Sequence, residues 1–577
     1  MKFDVAIIGG GPSGSTCGSF LKKYAPNLSV GIFEREIFPR EHVGESQLPI
    51  IGGILDEIGV WEKVEAANFP IKIGGTYRWG CTSDLWDFHF LPHGDFKNEA
   101  RPSAYSGQRL ETAFQVDRSV YDKILLDHAR ELGCEVFEGM GVKAVHSDAD
   151  TIQSILLSSG ETVCAKHYVD ASGQAGLLRR TMGVQVEEPS ALRNIAGWDY
   201  WQNAEWAVSI GNGGTRIQVM SVGYGWIWFI PIGPTRTSVG FVCPAEYYKT
   251  SGLSMKELYL KAIAEEPRIS ALCKMATREE RFQTTKDWSF VAERMAGRNW
   301  ILVGESAGFA DPILSAGLSL AHMSAKEAAF TILEIERGAH TEWLQTVYTS
   351  TNRRKILQHI RFADYWYKAN AHFSDLKEYT RGIAKDAGLD LDADQAFQWL
   401  GTGGFIEEDM QVGGFGTVSL GRLHQITSRL SQTASHSPIH GFNGFELNLK
   451  GASKTFCPSY VEGRVHRLPS YQRGTKQLPL TNYFALLVDA FRMGQRVDDA
   501  VKVVVQHLRG MKLSYDINSH TQVVQCLEAM VRDGWLIPKM LSAGTPINVD
   551  FLTDHAYITE NQDAKLPVHM RASTLSG

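Results

Sequence analysis

The stretch that most restricts what this 577-residue chain can fold into is its opening. Lys2 to Gly9 reads KFDVAIIG, an apolar run suited to a buried parallel strand. It stops at Gly9-Gly10-Gly11-Pro12-Ser13-Gly14 and continues into Ser15 to Tyr24, which has helical spacing. A strand, a G-x-G-x-x-G turn and a helix in that order make a dinucleotide-binding fingerprint. Gly9 permits the tight turn, Gly11 lets backbone N–H groups approach a pyrophosphate, and Gly14 lets the helix pack close to the strand. The helix start, with Pro12 and Ser13, then faces the phosphates with its partial positive charge. Ser29 to Phe33 reads as the second strand, and Glu34 stands at its end, where this motif carries the acid that bonds a ribose hydroxyl.

The length asks for two or three domains. A net charge of -6 gives no reason to expect nucleic acid or an anionic membrane as a partner. No apolar run of about 18 residues is present, so no transmembrane helix is expected. The first strand begins at Lys2, which leaves no room for a signal peptide and makes a cytoplasmic location the expectation. The eight cysteines include no C-x-x-C pair, so neither a metal site nor a disulfide framework is expected.

Further along, Pro70 to Gly75 alternates like a strand and carries Lys72. Residues 194–242 are rich in aromatic and β-branched side chains with turn signals, which predicts an antiparallel sheet inserted at about 190–290. Asn299 to Gly304 is a short apolar strand, followed by Glu305 and by Asp311-Pro312-Ile313-Leu314-Ser315-Ala316-Gly317 before a long helix. The expected architecture is α/β: a Rossmann-like core with an inserted antiparallel β-layer and a helical C-terminal extension. The expected domains are a core over 1–340, a helical and loop-rich linking region over 341–480, and a small helical domain over 481–577. Residues 400–480 read as mostly loop, and the last region as three helices with an apolar hairpin, winged-helix-like but too evenly charged for DNA.

Several residues have both a chemical and a plain reading. Arg40, in a Pro- and Gly-containing loop, either reaches the cofactor or is a solvated surface arginine. Arg118 begins a helix and lies either over the cofactor or in solvent. Asp311 is a helix cap or part of a second helix start aimed at the cofactor. Trp226 and Trp228 alternate on one strand and so share a face. Glu45, in Gly44-Glu45-Ser46, is an acid or proton relay, or else a loop salt bridge. Tyr365 and Tyr367 follow the core on a helix and line a pocket or pack.

The fingerprint together with Asp311-Pro312 and Gly317 resembles flavoproteins of the hydroxybenzoate-hydroxylase fold. Trp226-Ile227-Trp228-Phe229-Ile230-Pro231 matches W-x-W-x-I-P, and with Lys72 it resembles the flavin-dependent halogenases over residues 1 to 370. The resemblance is nearest to halogenases of phenolic and carrier-bound substrates, the chloramphenicol type among them. It implies FAD used as FADH2, O2 and chloride or bromide as cosubstrates, and a separate flavin reductase. It implies a substrate that is a small molecule or is bound to an acyl or peptidyl carrier, in natural-product biosynthesis. It implies that hypohalous acid made at the flavin passes to Lys72, with Ala316 and Gly317 N–H groups holding the halide. Glu305 stands where the family carries an Asp on the ribityl chain. Asp287 resembles the aspartate that chloramphenicol-type enzymes esterify to the flavin. Leu314 stands where tryptophan halogenases carry a Glu, which argues against free tryptophan. The rival expectations are an FAD monooxygenase of the same fold, and a non-catalytic flavoprotein or carrier-binding module.

Overall fold

The opening run forms the strand Lys2–Ile8, which lies parallel to Val30–Phe33 on one side and to Thr162–Asp170 on the other. Glu135–Phe137 and Trp300–Leu302 extend this sheet, again in parallel. Val5 to Ile8 are fully buried, as a strand covered on both faces requires. The structure, a computed structural model, describes residues 1–80, 82–188, 193–286, 289–370, 437–474, 476–549 and 558–561.

The fingerprint helix Pro12–Tyr24 packs along the helix Gly317–Glu336. His322 joins them to a third helix, Arg118–Glu131, through Thr16 Oγ1 at 2.8 Å and the Tyr121 hydroxyl at 2.9 Å. Burial drives the His322 pKa down to about 3, so the ring is a neutral two-ended link.

A second sheet runs in the order Thr277–Arg278, Asn194–Gln202, Arg236–Pro244, Gly225–Pro231, Gly214–Val222, Ile71–Arg78 and Leu85–His89. Every pairing within its 194–244 part is antiparallel. Ile71–Arg78 enters from outside the expected insertion and lies parallel to Gly214–Val222, with Lys72 opposite Thr215. Such a pairing joins strands more than a hundred residues apart and leaves no local signature.

The described chain divides into two compact units, one within Met1–Asp390, Glu462–Arg464 and Thr559–Gly577, the other within Leu391–Val461 and Val465–Ile558. The helix Thr341–Lys368, expected to open a linking region, belongs to the first unit, where the Tyr348 hydroxyl donates to Leu302 O at 2.6 Å. Asn561 also belongs there and donates to Asp87 Oδ1 at 2.9 Å, so 481–577 is not one domain.

In the second unit the expected loop contains strands, Gly444–Leu447, Ser453–Val461, Arg464–Arg473 and Lys476–Pro479. Gly451 and Gly474 (φ 75° and 61°) supply turns between them, so the glycine-rich composition marks strand connections. The helices Asn482–Met493, Val497–Gly510 and Ile517–Arg532 close on a core of Phe445, Leu487, Val504, Leu527 and Trp535. Leu536–Lys539, expected in a local hairpin, pairs antiparallel with Gly444–Leu447 instead. Among the described residues no helix is long and apolar enough to cross a membrane.

The fingerprint glycines are tightly placed. A Cβ on Gly14 would lie 1.9 Å from Gly9 O, and one on Gly9 2.4 Å from Ala171 O. Gly14→Ala must push helix from strand, an overpacking cost of about 3 kcal/mol. A clear drop in the urea midpoint is expected, measured by circular dichroism.

Candidate active site

The site is built at the carboxyl ends of the parallel strands, where the fingerprint turn meets the loop after the second strand. The Glu34 carboxylate accepts from Gly10 N at 2.7 Å and from Glu36 N at 2.8 Å. These two bonds hold it at the mouth of the turn. A Cβ on Gly11 would meet only Arg40 Nη2, at 3.3 Å, so this glycine faces open space where Gly9 and Gly14 face backbone. Gly304 (φ 60°) lies against Ser13, whose Oγ a Cβ there would approach to 2.3 Å. Glu305 follows it, and burial raises its pKa against the opposing pull of Arg118.

Ion pairs carry the site inward. Arg40 stacks on Phe38 and pairs with Asp122 at 3.2 Å. Asp122 in turn takes both arms of Arg118, at 2.7 and 2.9 Å. Burial works against the Asp122 carboxylate, but the Arg118 and Arg40 guanidiniums outweigh it and hold its pKa below the usual range. Arg118 Nη1 also donates to Val43 O at 2.9 Å and Gly44 O at 3.2 Å. The guanidinium thus pins the segment that carries Glu45.

Glu45 is 2% exposed, and its Oε1 accepts from the Tyr200 hydroxyl at 3.0 Å. Burial lifts its pKa to about 7. Arg236 lies 3.9 Å over the Tyr200 ring and is itself held by Glu41, Asp117 and Glu279. Val116 N donates to Glu45 O and Gln47 N to Phe114 O, so residues 45 to 47 are extended. Glu45 and Gln47 therefore share a face.

Lys72 is 3% exposed, on a strand whose first six residues are buried on both faces. Its ammonium donates to Gln47 O at 3.0 Å and to Ser315 Oγ at 3.4 Å, and lies 5.4 Å from the Phe90 ring. No carboxylate compensates it in these contacts, and desolvation lowers its pKa to about 7. Ser315 (φ 57°) opens the turn Ser315-Ala316-Gly317, and no side chain caps the helix that starts at Gly317. The fold thus brings Lys72 against this turn although 243 residues separate Lys72 from Ser315.

Trp226 and Trp228 are buried neighbours, 5.9 Å apart between ring centroids. Trp226 Nε1 donates to the Tyr367 hydroxyl at 2.7 Å and Trp228 Nε1 to Ser238 Oγ at 3.1 Å. Ile230 and Pro231 complete the buried strand. Asp311 caps the short turn Pro312–Leu314 through Ile313 N at 2.9 Å. Its remaining acceptor capacity goes to Asn194 and Tyr367, and burial lifts its pKa to about 6. Asp287 lies outside the described residues.

Tyr200, Asn194 and Gln47 were absent from the sequence-derived candidates. Tyr200 and Asn194 sit on an ordinary aromatic strand and carry no local signal. Asp122 was also missed, though its place four residues after Arg118 on one helix face is a readable pairing.

The residues fit a bound dinucleotide with a polar ring system. Ser46 Oγ, both ends of the Gln115 amide, Thr237 Oγ1 and Trp198 Nε1 are buried with no hydrogen-bond partner in the protein. Buried polar groups are normally satisfied, so atoms such as these keep hydrogen-bonding capacity for a polar ligand.

The sequence model of the tryptophan halogenase family matches residues 4–100 and 94–375 of this chain. The chlorinase of 1H-pyrrole-2-carbonyl peptidyl carrier protein from Pseudomonas fluorescens is 33% identical over 386 residues, 64% of this chain and 85% of its own. Among solved structures, the flavin-dependent halogenase CmlS superposes with a TM-score of 0.70 at 25% identity, covering 95% of this chain and 98% of that one. The myxobacterial chondrochloren halogenase CndH superposes with a TM-score of 0.58 at 26% identity, covering 74% and 96%.

The pKa of Lys72 bears on stability. The unfolded lysine titrates near its ordinary value of 10.5 and the folded one at about 7. Between those values the unfolded state binds more protons, so this group makes stability rise with pH, and below pH 7 its full penalty remains. Lys72→Met removes the penalty. It is expected to stabilise the protein at pH 7 by on the order of a few kcal/mol and to flatten the rise toward pH 10, as read from urea midpoints across that range.

Proposed function

The chain belongs to the tryptophan halogenase family of flavin-dependent halogenases, and from that premise we propose that it halogenates an activated small-molecule or carrier-bound substrate through Lys72. The observation that carries this reading is the buried ammonium held between Gln47 O and Ser315 Oγ, beside the turn that precedes the helix Gly317–Glu336. In this reading the fold is of the hydroxybenzoate-hydroxylase type, and the second unit is its extension. Reduced FAD held here would give two electrons to O2 and a halide ion would give two more, so that one oxygen ends in hypohalous acid and the other in water. A separate reductase supplies that reduced flavin.

The chain's own groups do the rest. Gly9, Gly11, Pro12, Ser13 and Gly14 present the helix start to the pyrophosphate, and Glu34 takes a ribose hydroxyl. Arg40, Arg118, Glu305 and Asp311 line the cofactor's path. The N–H groups of Ala316 and Gly317, at the start of a 20-residue helix, hold the halide where the helix charge favours an anion. Lys72 receives the hypohalous acid, by hydrogen bond or as a haloamine. A nitrogen with a pKa of about 7 is available in either protonation state near neutral pH. Glu45, whose pKa is also about 7, holds or releases the accompanying proton. The indoles of Trp226 and Trp228 exclude water and deny other reactants the space beside the flavin.

Leu314 at the turn, where tryptophan-directed relatives carry an acid, supports a substrate that is already electron-rich, such as a phenol, a pyrrole or an enolisable acyl group. The carrier-bound pyrrole named for the Pseudomonas relative is of this class.

Lys72→Ala is expected to abolish halogenated product while reduced FAD and O2 still release peroxide. Intact mass of phenolic and pyrrolyl-carrier probes, with chloride or bromide, measures this. Native-rate turnover by the variant would mean the reaction is not lysine-dependent halogenation. Glu45→Gln is expected to lower kcat by about 100-fold, the scale of a lost general acid–base group, and to remove one limb of the pH–rate profile near pH 7.

A further inference from the structure

The two signature tryptophans differ in what their indole N–H groups do. Trp228 ends locally, on Ser238 of the adjacent strand. Trp226 begins a chain. Its Nε1 donates to the Tyr367 hydroxyl at 2.7 Å. That hydroxyl lies 3.1 Å from both carboxylate oxygens of Asp311, to which it donates. Asn194 Nδ2 adds a donor to Asp311 Oδ2 at 3.0 Å and lies 3.4 Å from the Tyr367 hydroxyl. Asp311 Oδ1 caps the following turn at Ile313 N, 2.9 Å away. One turn later the chain enters Ser315 in the left-handed region (φ 57°), which a serine adopts at a cost.

Every member of this relay is buried: Trp226 at 2%, Asp311 at 2%, Asn194 at 4% and Tyr367 at 4%. In such surroundings each bond is directional and expensive to lose. The chain direction is also unambiguous. An indole nitrogen only donates, a carboxylate only accepts, and the phenol between them does one of each. The Tyr367 helix is anchored beside this point, because Trp79 Nε1 donates to Trp366 O at 2.6 Å and the Trp79 ring meets those of Trp226 and Tyr367 edge-on.

We propose that Tyr367 is a positioning residue for halide binding: the Trp226–Tyr367–Asp311 relay fixes the strained Ser315-Ala316-Gly317 turn so that its N–H groups point at the halide. Trp226 thereby serves the reaction through its N–H as well as its ring. The proposal rests on the reading of Ala316 and Gly317 as the halide site. Tyr367 itself touches the carboxylate cap, and it acts on the halide through the backbone of the turn.

The test uses the full chain with reduced FAD regenerated by a flavin reductase, bromide or chloride as variable substrate, and a soluble β-diketone that captures hypohalous acid. The native substrate is then not needed. Tyr367→Phe keeps the ring and removes the hydroxyl. It is expected to raise the KM for bromide about tenfold, equivalent to about 1.4 kcal/mol, with kcat at saturating bromide within about twofold and the KM for reduced FAD unmoved. Trp226→Phe is expected to move the halide KM in the same direction by a smaller factor, because Asp311 keeps its phenol donor. A merely structural role would lower kcat or weaken flavin binding without this split. An unchanged bromide KM in Tyr367→Phe, or an equal rise in the KM for reduced FAD, overturns the proposal while wild-type bromide dependence leaves the halogenase reading standing. A wild-type enzyme that gives no halide-dependent capture product overturns both. If Tyr367→Phe does not fold, the Trp226→Phe halide KM decides by the same criteria.

Discussion

An ammonium taken out of water without a carboxylate beside it is the constraint on which the site depends. Lys72 is held by a carbonyl, a serine hydroxyl and the face of Phe90, and it pays for its position in lost hydration. That cost is what makes its nitrogen chemically adjustable near neutral pH. It also explains why the surrounding fold is so firmly tied. A lysine that would be more stable in solvent stays buried only because the strand carrying it is paired on both sides, with Thr215 and with Ala113.

From that lysine the structure leads back to the cofactor edge through unbroken contacts. Gln47 accepts from Lys72, and Glu45, on the same extended segment, is pinned by Arg118 through the carbonyls of Val43 and Gly44. Arg118 is locked to Asp122, which also pairs with Arg40, the side chain nearest the open face of Gly11. Asp122 sits between two guanidiniums in a buried place, where removal of the carboxylate would leave Arg118 without its two-armed partner. The site is therefore a single electrostatic assembly running from the fingerprint glycines to the turn at Ser315. On the opposite flank the acid at 311 holds that turn with neutral donors, Asn194 and Tyr367.

Much of this was readable beforehand, and for local reasons. The strand–turn–helix at residues 2 to 24 is written in consecutive residues, and Gly9 and Gly14 sit where backbone leaves no room for a Cβ. The alternation of Trp226 and Trp228 predicted two indoles on one face, and they lie side by side. The composition of residues 400 to 480 predicts loop, yet strands begin at Gly444, because glycines that mark turns between short strands look the same as glycines that mark irregular chain. Likewise the apolar run Leu536–Lys539 predicts a local hairpin, whereas its partner lies about ninety residues earlier.

By itself, then, the sequence determined the dinucleotide edge, the buried tryptophan strand and the burial of Lys72 in an apolar run, because each depends on neighbours within one turn or one strand. Only the tertiary structure decided that Lys72 meets Ser315, that Glu45 accepts from the Tyr200 hydroxyl, and that Trp226 reaches Asp311 through Tyr367. Each of these is a side-chain hydrogen bond between residues more than fifty positions apart. Such pairs are chosen by how sheets and helices pack, which no local pattern of residues encodes.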